Sequence, residues 1–206
     1  MKPSRRDANQ PVPSHIPTLA QTTTVTALAA ATAPIAAAAA GPESLDEWIA
    51  ALKSHDDNVR GAAWPKAEHW GAAAVRPLIE TMADSDAEVV RAAKRALWRI
   101  VHHSGRPRAV TERNAVVAGL LTGLGSGPTP VRRELLWMLS EIGDGHAVAT
   151  IAPLLGHVEL REDARSALQR IPGSQATAAL KAARVSAPTE FQTALTAALR
   201  ARGVKD

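Results

Sequence analysis

The sequence predicts an all-α fold in which short helical hairpins repeat along the chain. Alanine is abundant, whereas the 206 residues include no tyrosine and one phenylalanine, a composition that favours closely packed helices over sheet. Apolar residues recur at helical spacing between polar turns. With 46% hydrophobic residues, a chain of this length can bury a core of its own.

The first 42 residues differ from the rest. After the basic start at Lys2, Arg5 and Arg6, no Asp, Glu, Lys or Arg occurs between Asp7 and Glu43. A basic start, an uncharged stretch and small residues at its end follow the order of an export signal, and the paired arginines resemble a twin-arginine signal. The alternative is a disordered low-complexity leader or linker. The chain is thus predicted to be either exported to the periplasm or cytoplasmic. No stable membrane span is expected, because the uncharged stretch is weakly apolar and contains proline.

Five later segments align on one apolar anchor residue each. The anchors are separated by 30, 42, 29 and 31 residues. Positions 0, 4, 8 and 11 from each anchor are apolar, Arg202 excepted, and they fall within about 80° on one side of a helix. Each segment is therefore predicted to be a helix with one buried face. The anchors are Val59, Val89, Val131, Leu160 and Phe191.

A second amphipathic segment precedes each anchor, and short polar turns separate the two. These first helices are predicted at residues 45–52, 73–82, 114–124, 147–155 and 176–183. A hairpin with one apolar face per helix cannot bury that face alone, so consecutive hairpins are expected to stack into one continuous core.

The repeated pattern resembles the bacterial HEAT-like repeat of the phycobilisome-lyase type. Residues 56–63 read D-x-x-V-R-x-A-A, and the clearest match covers residues 73–100. The resemblance implies a right-handed α-solenoid of about five hairpins, over residues 43–206. Two departures stand out: Pro65 should end or kink the second helix of the first hairpin, and residues 102–111 form an insertion.

In solenoids of this type the second helix of each hairpin lines the concave surface, so positions 2, 5, 6 and 9 from each anchor are expected on that face. They include Leu136 and a set of tryptophan and basic residues, the combination typical of protein-binding hot spots. We therefore predict a non-catalytic scaffold, a monomer or a subunit of a complex, that binds a protein or peptide. The alternative is that the tryptophans fill gaps between repeats. The candidate partner-binding residues are Trp64, Arg91, Lys94, Arg95, Trp98, Arg133, Trp137 and Arg165.

The residue content argues against catalysis. Without cysteine there is no thiolate nucleophile or thiolate metal site, and the seven histidines show no HExxH spacing. We therefore predict no catalytic residues, metal or cofactor. The alternative function is nucleic-acid or alkylated-base binding in a groove of the HEAT-like DNA-repair type, with Trp64, Trp98 and Glu68 as aromatic and acidic groups. A basic run within residues 91–108 favours it, whereas the net charge of +4 is small for phosphate binding.

Overall fold

Ten α-helices and three 3₁₀ segments make up the computed structural model, which describes residues 44–205 and contains no strand within that range. The predicted leader, residues 1–42, lies outside the described residues. None of the described helices is long and apolar enough to cross a membrane. The helices are α1 (Leu45–Leu52), α2 (Asp57–Ala63), α3 (Val75–Thr81), α4 (Ala87–Ser104), α5 (Val110–Leu124), α6 (Thr129–Ile142), α7 (Gly145–Ile151), α8 (Arg161–Arg170), α9 (Ser174–Ser186) and α10 (Thr189–Ala201), and the 3₁₀ segments are Trp64–His69, Gly71–Ala74 and Ala152–Gly156.

The all-α prediction is confirmed, and the helices pack in chain order. Helices α1 and α2, α3 and α4, α5 and α6, α7 and α8, and α9 and α10 contact each other in pairs. Further contacts join consecutive pairs: α3 packs on α5, α5 on α7 and α7 on α9, while α2 packs on α4, α4 on α6, α6 on α8 and α8 on α10; α4 also contacts α5, and α8 contacts α9. From α3 onward, odd-numbered helices therefore pack on one another in turn, and even-numbered helices do the same in a second row.

The predicted buried positions lie in the core in four of the five second helices. In α4, for example, Val89, Ala93, Leu97 and Ile100 are at most 2% exposed. The anchor prediction is wrong at Val59, which is 44% exposed. In the short helix α2 the adjacent Arg60 is buried instead, because its guanidinium reaches back to the Ser54 carbonyl at 2.5 Å and pairs with Asp57.

Polar side chains in the turns start several of the helices. Asp86 precedes α4, and its carboxylate accepts hydrogen bonds from the backbone N–H groups of Glu88 (2.8 Å) and Val89 (3.5 Å). The bond from the Glu88 N–H is the main reason that the pKa of Asp86 lies below its ordinary value. The turn at residues 84–86 thus fixes where the longest helix begins.

Proline and the insertion alter the two hairpin connections where the sequence predicted departures. Helix α2 ends at Ala63, and Pro65 stands in the first turn of the 3₁₀ segment that follows, as its missing N–H and fixed φ require. Helices enter the insertion from both ends: α4 continues to Ser104 and α5 already begins at Val110. The intervening loop contains Arg108 with a φ of 71°.

Helix α6 is more deeply buried than predicted. Leu136, expected on the opposite face from the core, is 0% exposed, as is its neighbour Leu135. The reason is that α6 contacts α5 on one side and both α4 and α8 along the row of second helices, which leaves a narrow free strip. Trp137 lies on that strip and is 58% exposed.

Arg202, the polar exception among the positions predicted to be buried, closes the last hairpin. Its guanidinium donates to the carbonyl oxygens of Leu168, Gln169 and Ile171 at 2.6–2.9 Å, and to that of Gly173 at 2.7 Å. The carbonyl groups at the end of a helix lack partners within the helix. Arg202 satisfies those at the end of α8 and so binds α10 to it.

Glycine permits close approach of neighbouring first helices. A Cβ atom on Gly119 of α5 would lie 2.8 Å from Cγ1 of Val75 in α3. Val75 is 0% exposed and its branched side chain has little freedom to move. A residue without a side chain is therefore required at position 119.

Candidate functional site

A cleft of about 950 Å³ opens on the side of the even-numbered helices, between the 3₁₀ segment Trp64–His69 and helix α4. Two tryptophans and a majority of basic side chains line it. The lining residues are Trp64, Glu68, Arg91, Lys94, Arg95, Trp98, Arg99, His102, His103 and Arg106. A smaller cavity of about 180 Å³ lies beside it and shares Trp64, Arg91 and Arg95 as a common wall.

Trp64 and Arg95 form the wall between the two cavities. The helix break before Pro65 directs the Trp64 ring toward α4, where the guanidinium carbon of Arg95 lies 6.0 Å from the ring centroid. This distance is at the limit of a cation–π contact. Trp64 is partly buried, whereas Arg95 is exposed, so the aromatic face supports a cation that remains open to solvent.

Trp98 links two second helices while facing the cleft. Its indole Nε1 donates to Oε1 of Glu134 in α6 at 2.5 Å, and Lys94 Nζ lies 2.8 Å from Oε2 of the same carboxylate. The His102 ring packs against the indole with the centroids 5.2 Å apart. Trp98 is partly buried and therefore contributes both to the packing of α4 on α6 and to the cleft surface.

The far end of the cleft contains a network of charged side chains. Glu68 lies 3.3 Å from Nη2 of Arg99 and 3.7 Å from Nδ1 of His103. The other ring nitrogen of His103 lies 3.7 Å from Glu112 of α5, which also pairs with Arg106 at 2.9 Å. This network ties the 3₁₀ segment, α4 and α5 together.

The predicted site residues fall into separate groups. Five of the eight, Trp64, Arg91, Lys94, Arg95 and Trp98, line the cleft. Trp137 and Arg165 line a different cavity of about 300 Å³ between α6 and α8. Arg133 lines neither of these cavities; its guanidinium donates to the Glu159 carbonyl at 2.9 and 3.2 Å and lies 3.4 Å from Asp163.

Arg165 is largely engaged with its own helix. Its guanidinium donates to Glu162 and Gln169, both at 2.9 Å, and to the Ser166 hydroxyl at 3.2 Å. The cavity beside it is closed at its other wall by Trp137. These contacts hold the arginine flat along α8 rather than extended toward solvent.

Four residues of the cleft were missing from the predicted set: Arg99, His102, His103 and Arg106. Their basic run was visible in the sequence, but Arg99 stands at position 10 from its anchor, outside the predicted face, and the other three follow the predicted helix end at residue 100. Positions 91, 95, 98, 102 and 106 follow one another at steps of three and four residues, which is the spacing of one helix face. Continuing that spacing into the insertion was the signal that could have found His102 and Arg106.

No family model matches the chain, and no curated protein matches it. A crystal structure of an engineered protein from the Northeast Structural Genomics Consortium is similar over 76% of this chain and 78% of its own, with 21% sequence identity and a TM-score of 0.41.

Within residues 44–205, no group of three or more His, Cys, Asp or Glu side chains is arranged to hold a metal ion.

Proposed function

We propose that residues 44–205 form an α-solenoid of HEAT-like hairpins that acts as a non-catalytic scaffold. It binds a protein segment along the side formed by the even-numbered helices, which are the second helices of the hairpins (the second-helix side). The packing of each hairpin on the next, with odd and even helices in separate rows, supports the solenoid. The recurrence of the buried positions in α4, α6, α8 and α10 supports a repeat origin.

The observation that carries the binding proposal is the cleft with its two tryptophans and five Arg or Lys side chains. Protein-binding hot spots are enriched in tryptophan and arginine, which combine large apolar contact area with directed hydrogen bonds. Trp137 lies on the same side of the molecule, nearer to α8, and is exposed. Its apolar surface is in contact with water, which is unfavourable in free energy unless a partner covers the ring.

A non-catalytic role fits the charge arrangement of the cleft. Glu68 is the carboxylate among the lining residues, and it faces both Arg99 and His103. These contacts place the carboxylate in the wall of the cleft, where it helps to join the 3₁₀ segment to α4. We therefore propose that the cleft serves recognition.

Nucleic-acid or alkylated-base binding is the second candidate, and one observation favours it. Trp64, Glu68 and Trp98 were the residues predicted for such a groove, and all three line the one cleft together with cations. Aromatic rings beside basic groups are the elements with which proteins bind single-stranded nucleic acid.

Site-specific cross-linking tests the scaffold proposal. A photoreactive benzoylphenylalanine is introduced in place of Trp137 on α6 and, as matched control, in place of Val185 on α9, which is 85% exposed. We expect protein adducts from position 137 and none from position 185. Equal adducts from both positions, or adducts from position 185 alone, would contradict binding through the second-helix side.

A salt titration separates the two candidates. Binding of duplex DNA to the full chain is measured at increasing salt concentration. A measurable affinity that falls steeply with salt favours the nucleic-acid function, because the slope reports how many phosphates the protein neutralises. The protein-scaffold proposal predicts weak binding with a shallow slope.

A further inference from the structure

We propose that the cleft recognises an acidic protein segment, with a side-chain carboxylate of that segment paired to Arg95 above the Trp64 ring. This inference rests on the proposed scaffold function and specifies the chemistry of the partner. It follows from the distribution of charge in the cleft and from the position of one arginine.

Four of the five Arg and Lys side chains in the cleft already have carboxylate partners. The pairs are Arg91 with Glu88, Lys94 with Glu134, Arg99 with Glu68, and Arg106 with Glu112. Arg95 contacts the Trp64 ring, and no carboxylate among residues 44–205 pairs with it. It is therefore the uncompensated cation of the cleft.

The surroundings of Arg95 prepare it to bind a carboxylate. Its guanidinium carbon lies over the Trp64 ring, 6.0 Å from the ring centroid, and the residue is exposed to solvent. The planar guanidinium donates two parallel hydrogen bonds to a carboxylate, a geometry that lysine cannot reproduce.

The position of Arg95 between two cavities favours a segment over a small anion. Together with Trp64 and Arg91 it borders both the cleft of about 950 Å³ and the neighbouring cavity of about 180 Å³. A polypeptide bound at Arg95 can extend into both cavities and place apolar side chains against Trp64 and Trp98. Apolar contact area on these tryptophans adds affinity and specificity to the single ion pair at Arg95.

The same charge distribution disfavours a nucleic-acid backbone. Five cations with four paired carboxylates leave about one uncompensated positive charge for the ligand. A backbone with one phosphate per nucleotide gains its affinity by releasing counterions at many phosphates at once, and the cleft offers little of that gain. One or two well-placed carboxylates match the available charge better.

Fluorescence anisotropy on the full chain tests the inference. The probe is a fluorescein-labelled peptide of about ten glutamates, roughly 33 Å long when extended, with both ends blocked so that only side-chain carboxylates are offered. A glutamine peptide of the same length and a thymidylate oligonucleotide of similar length are compared with it. We expect the glutamate peptide to bind at least about tenfold more tightly than either.

Two arginine variants locate the binding. Arg95→Gln is expected to weaken binding of the glutamate peptide about tenfold. The control Arg76→Gln changes an exposed arginine of α3, which pairs with Glu80 of the same helix. Helix α3 belongs to the odd-numbered row, away from the cleft, so this variant should leave the affinity unchanged. Circular dichroism confirms that both variants are folded.

The outcomes distinguish the inference from the function on which it rests. Equal affinity for the glutamate and glutamine peptides, an Arg95→Gln variant that binds like the parent, or tighter binding of the oligonucleotide would each overturn the carboxylate site. If that happens while position 137 still gives protein adducts and position 185 does not, the scaffold function stands without this ligand chemistry. If position 137 gives no adducts, the scaffold function itself fails.

Discussion

Replacing Trp98 should destabilise the fold, whereas replacing the more exposed Trp137 should not. The indole of Trp98 donates to the Glu134 carboxylate at 2.5 Å and so joins α4 to α6. Trp98→Phe keeps most of the ring packing and removes the donor. A hydrogen bond to a charged group contributes about 1.5–3 kcal/mol, and we expect the low end because Lys94 still holds the carboxylate at 2.8 Å.

Trp98→Ala should cost more than Trp98→Phe. Truncating a fully buried aromatic residue costs about 3–5 kcal/mol, and the partly buried Trp98 should lose about half of that in addition to its hydrogen bond, for a total of about 3 kcal/mol. Trp137 is 58% exposed, and its Nε1 makes no hydrogen bond within the described residues, so Trp137→Ala should change stability by less than about 0.5 kcal/mol.

Urea unfolding followed by circular dichroism at about 222 nm measures these differences. With a slope of about 2 kcal/mol per molar urea, Trp98→Ala should lower the midpoint by about 1.5 M and Trp98→Phe by about half of that. The slope must stay constant for the midpoints to report free energies. A Trp98→Ala midpoint within error of the parent, or an equal shift for Trp137→Ala, would refute the inter-helix role of Trp98.

Three further predictions concern the helix ends, the helix contacts and the response to acid. Arg202→Met should cost about 2–3 kcal/mol in urea unfolding, because it leaves the terminal carbonyls of α8 without donors; a loss below about 0.5 kcal/mol would mean that water replaces the arginine. Gly119→Ala should cost about 1–3 kcal/mol by its clash with Val75, whereas Gly61→Ala, with nothing within 4 Å of the added methyl, should gain about 0.5–1 kcal/mol in helix propensity; thermal melts that shift in the same direction would contradict this. The lowered pKa of Asp86 stabilises the fold above the ordinary pKa of an aspartate and ceases to do so as the pH falls through the folded-state value. The melting temperature of Asp86→Asn, which keeps the cap acceptor, should therefore fall less than that of the parent between neutral pH and about pH 3, and parallel pH profiles would show that this carboxylate is not responsible.

The helices and the buried register could be predicted from the sequence because both depend on local spacing. Val89, Ala93, Leu97 and Ile100 recur at helical intervals, and any helix that carries them must bury that side. Helix ends were less predictable. Helix α4 continues into the insertion as far as Ser104 and packs there against α5, a contact that the predicted pattern, ending at residue 100, did not include.

The environments of Leu136 and Arg202 have tertiary causes, whereas that of Val59 has a local one. Leu136 is buried because neighbours cover α6 on both sides, and Arg202 is held by the end of α8, which lies about thirty residues away in the chain. Val59 is exposed because Arg60 takes the inner position through contacts with its own turn. The sequence pattern shows which residue types occupy a face, but not how far adjacent helices cover it.

The candidate site was predictable as a face and not as a cleft. Trp64, Arg95 and Trp98 share the expected side of their helices. Their juxtaposition depends on the 3₁₀ segment that follows the helix break at Pro65. The sequence predicted the break but not the 3₁₀ segment. The pairing of cleft cations with carboxylates, which leaves Arg95 without one, could not be predicted, because three of the four carboxylates belong to other elements.

The indole signals of the five tryptophans provide the most direct test of the binding cleft. In an ¹⁵N-labelled full chain, each Trp Nε1–H gives one correlation peak, assigned by replacing the tryptophans one at a time. On titration with the glutamate peptide, the Trp64 and Trp98 peaks should shift. The peak of Trp48, which is 0% exposed and donates to the Ala63 carbonyl at 2.9 Å, should stay in place. Unshifted Trp64 and Trp98 peaks at saturating peptide, or shifts confined to other tryptophans, would contradict it.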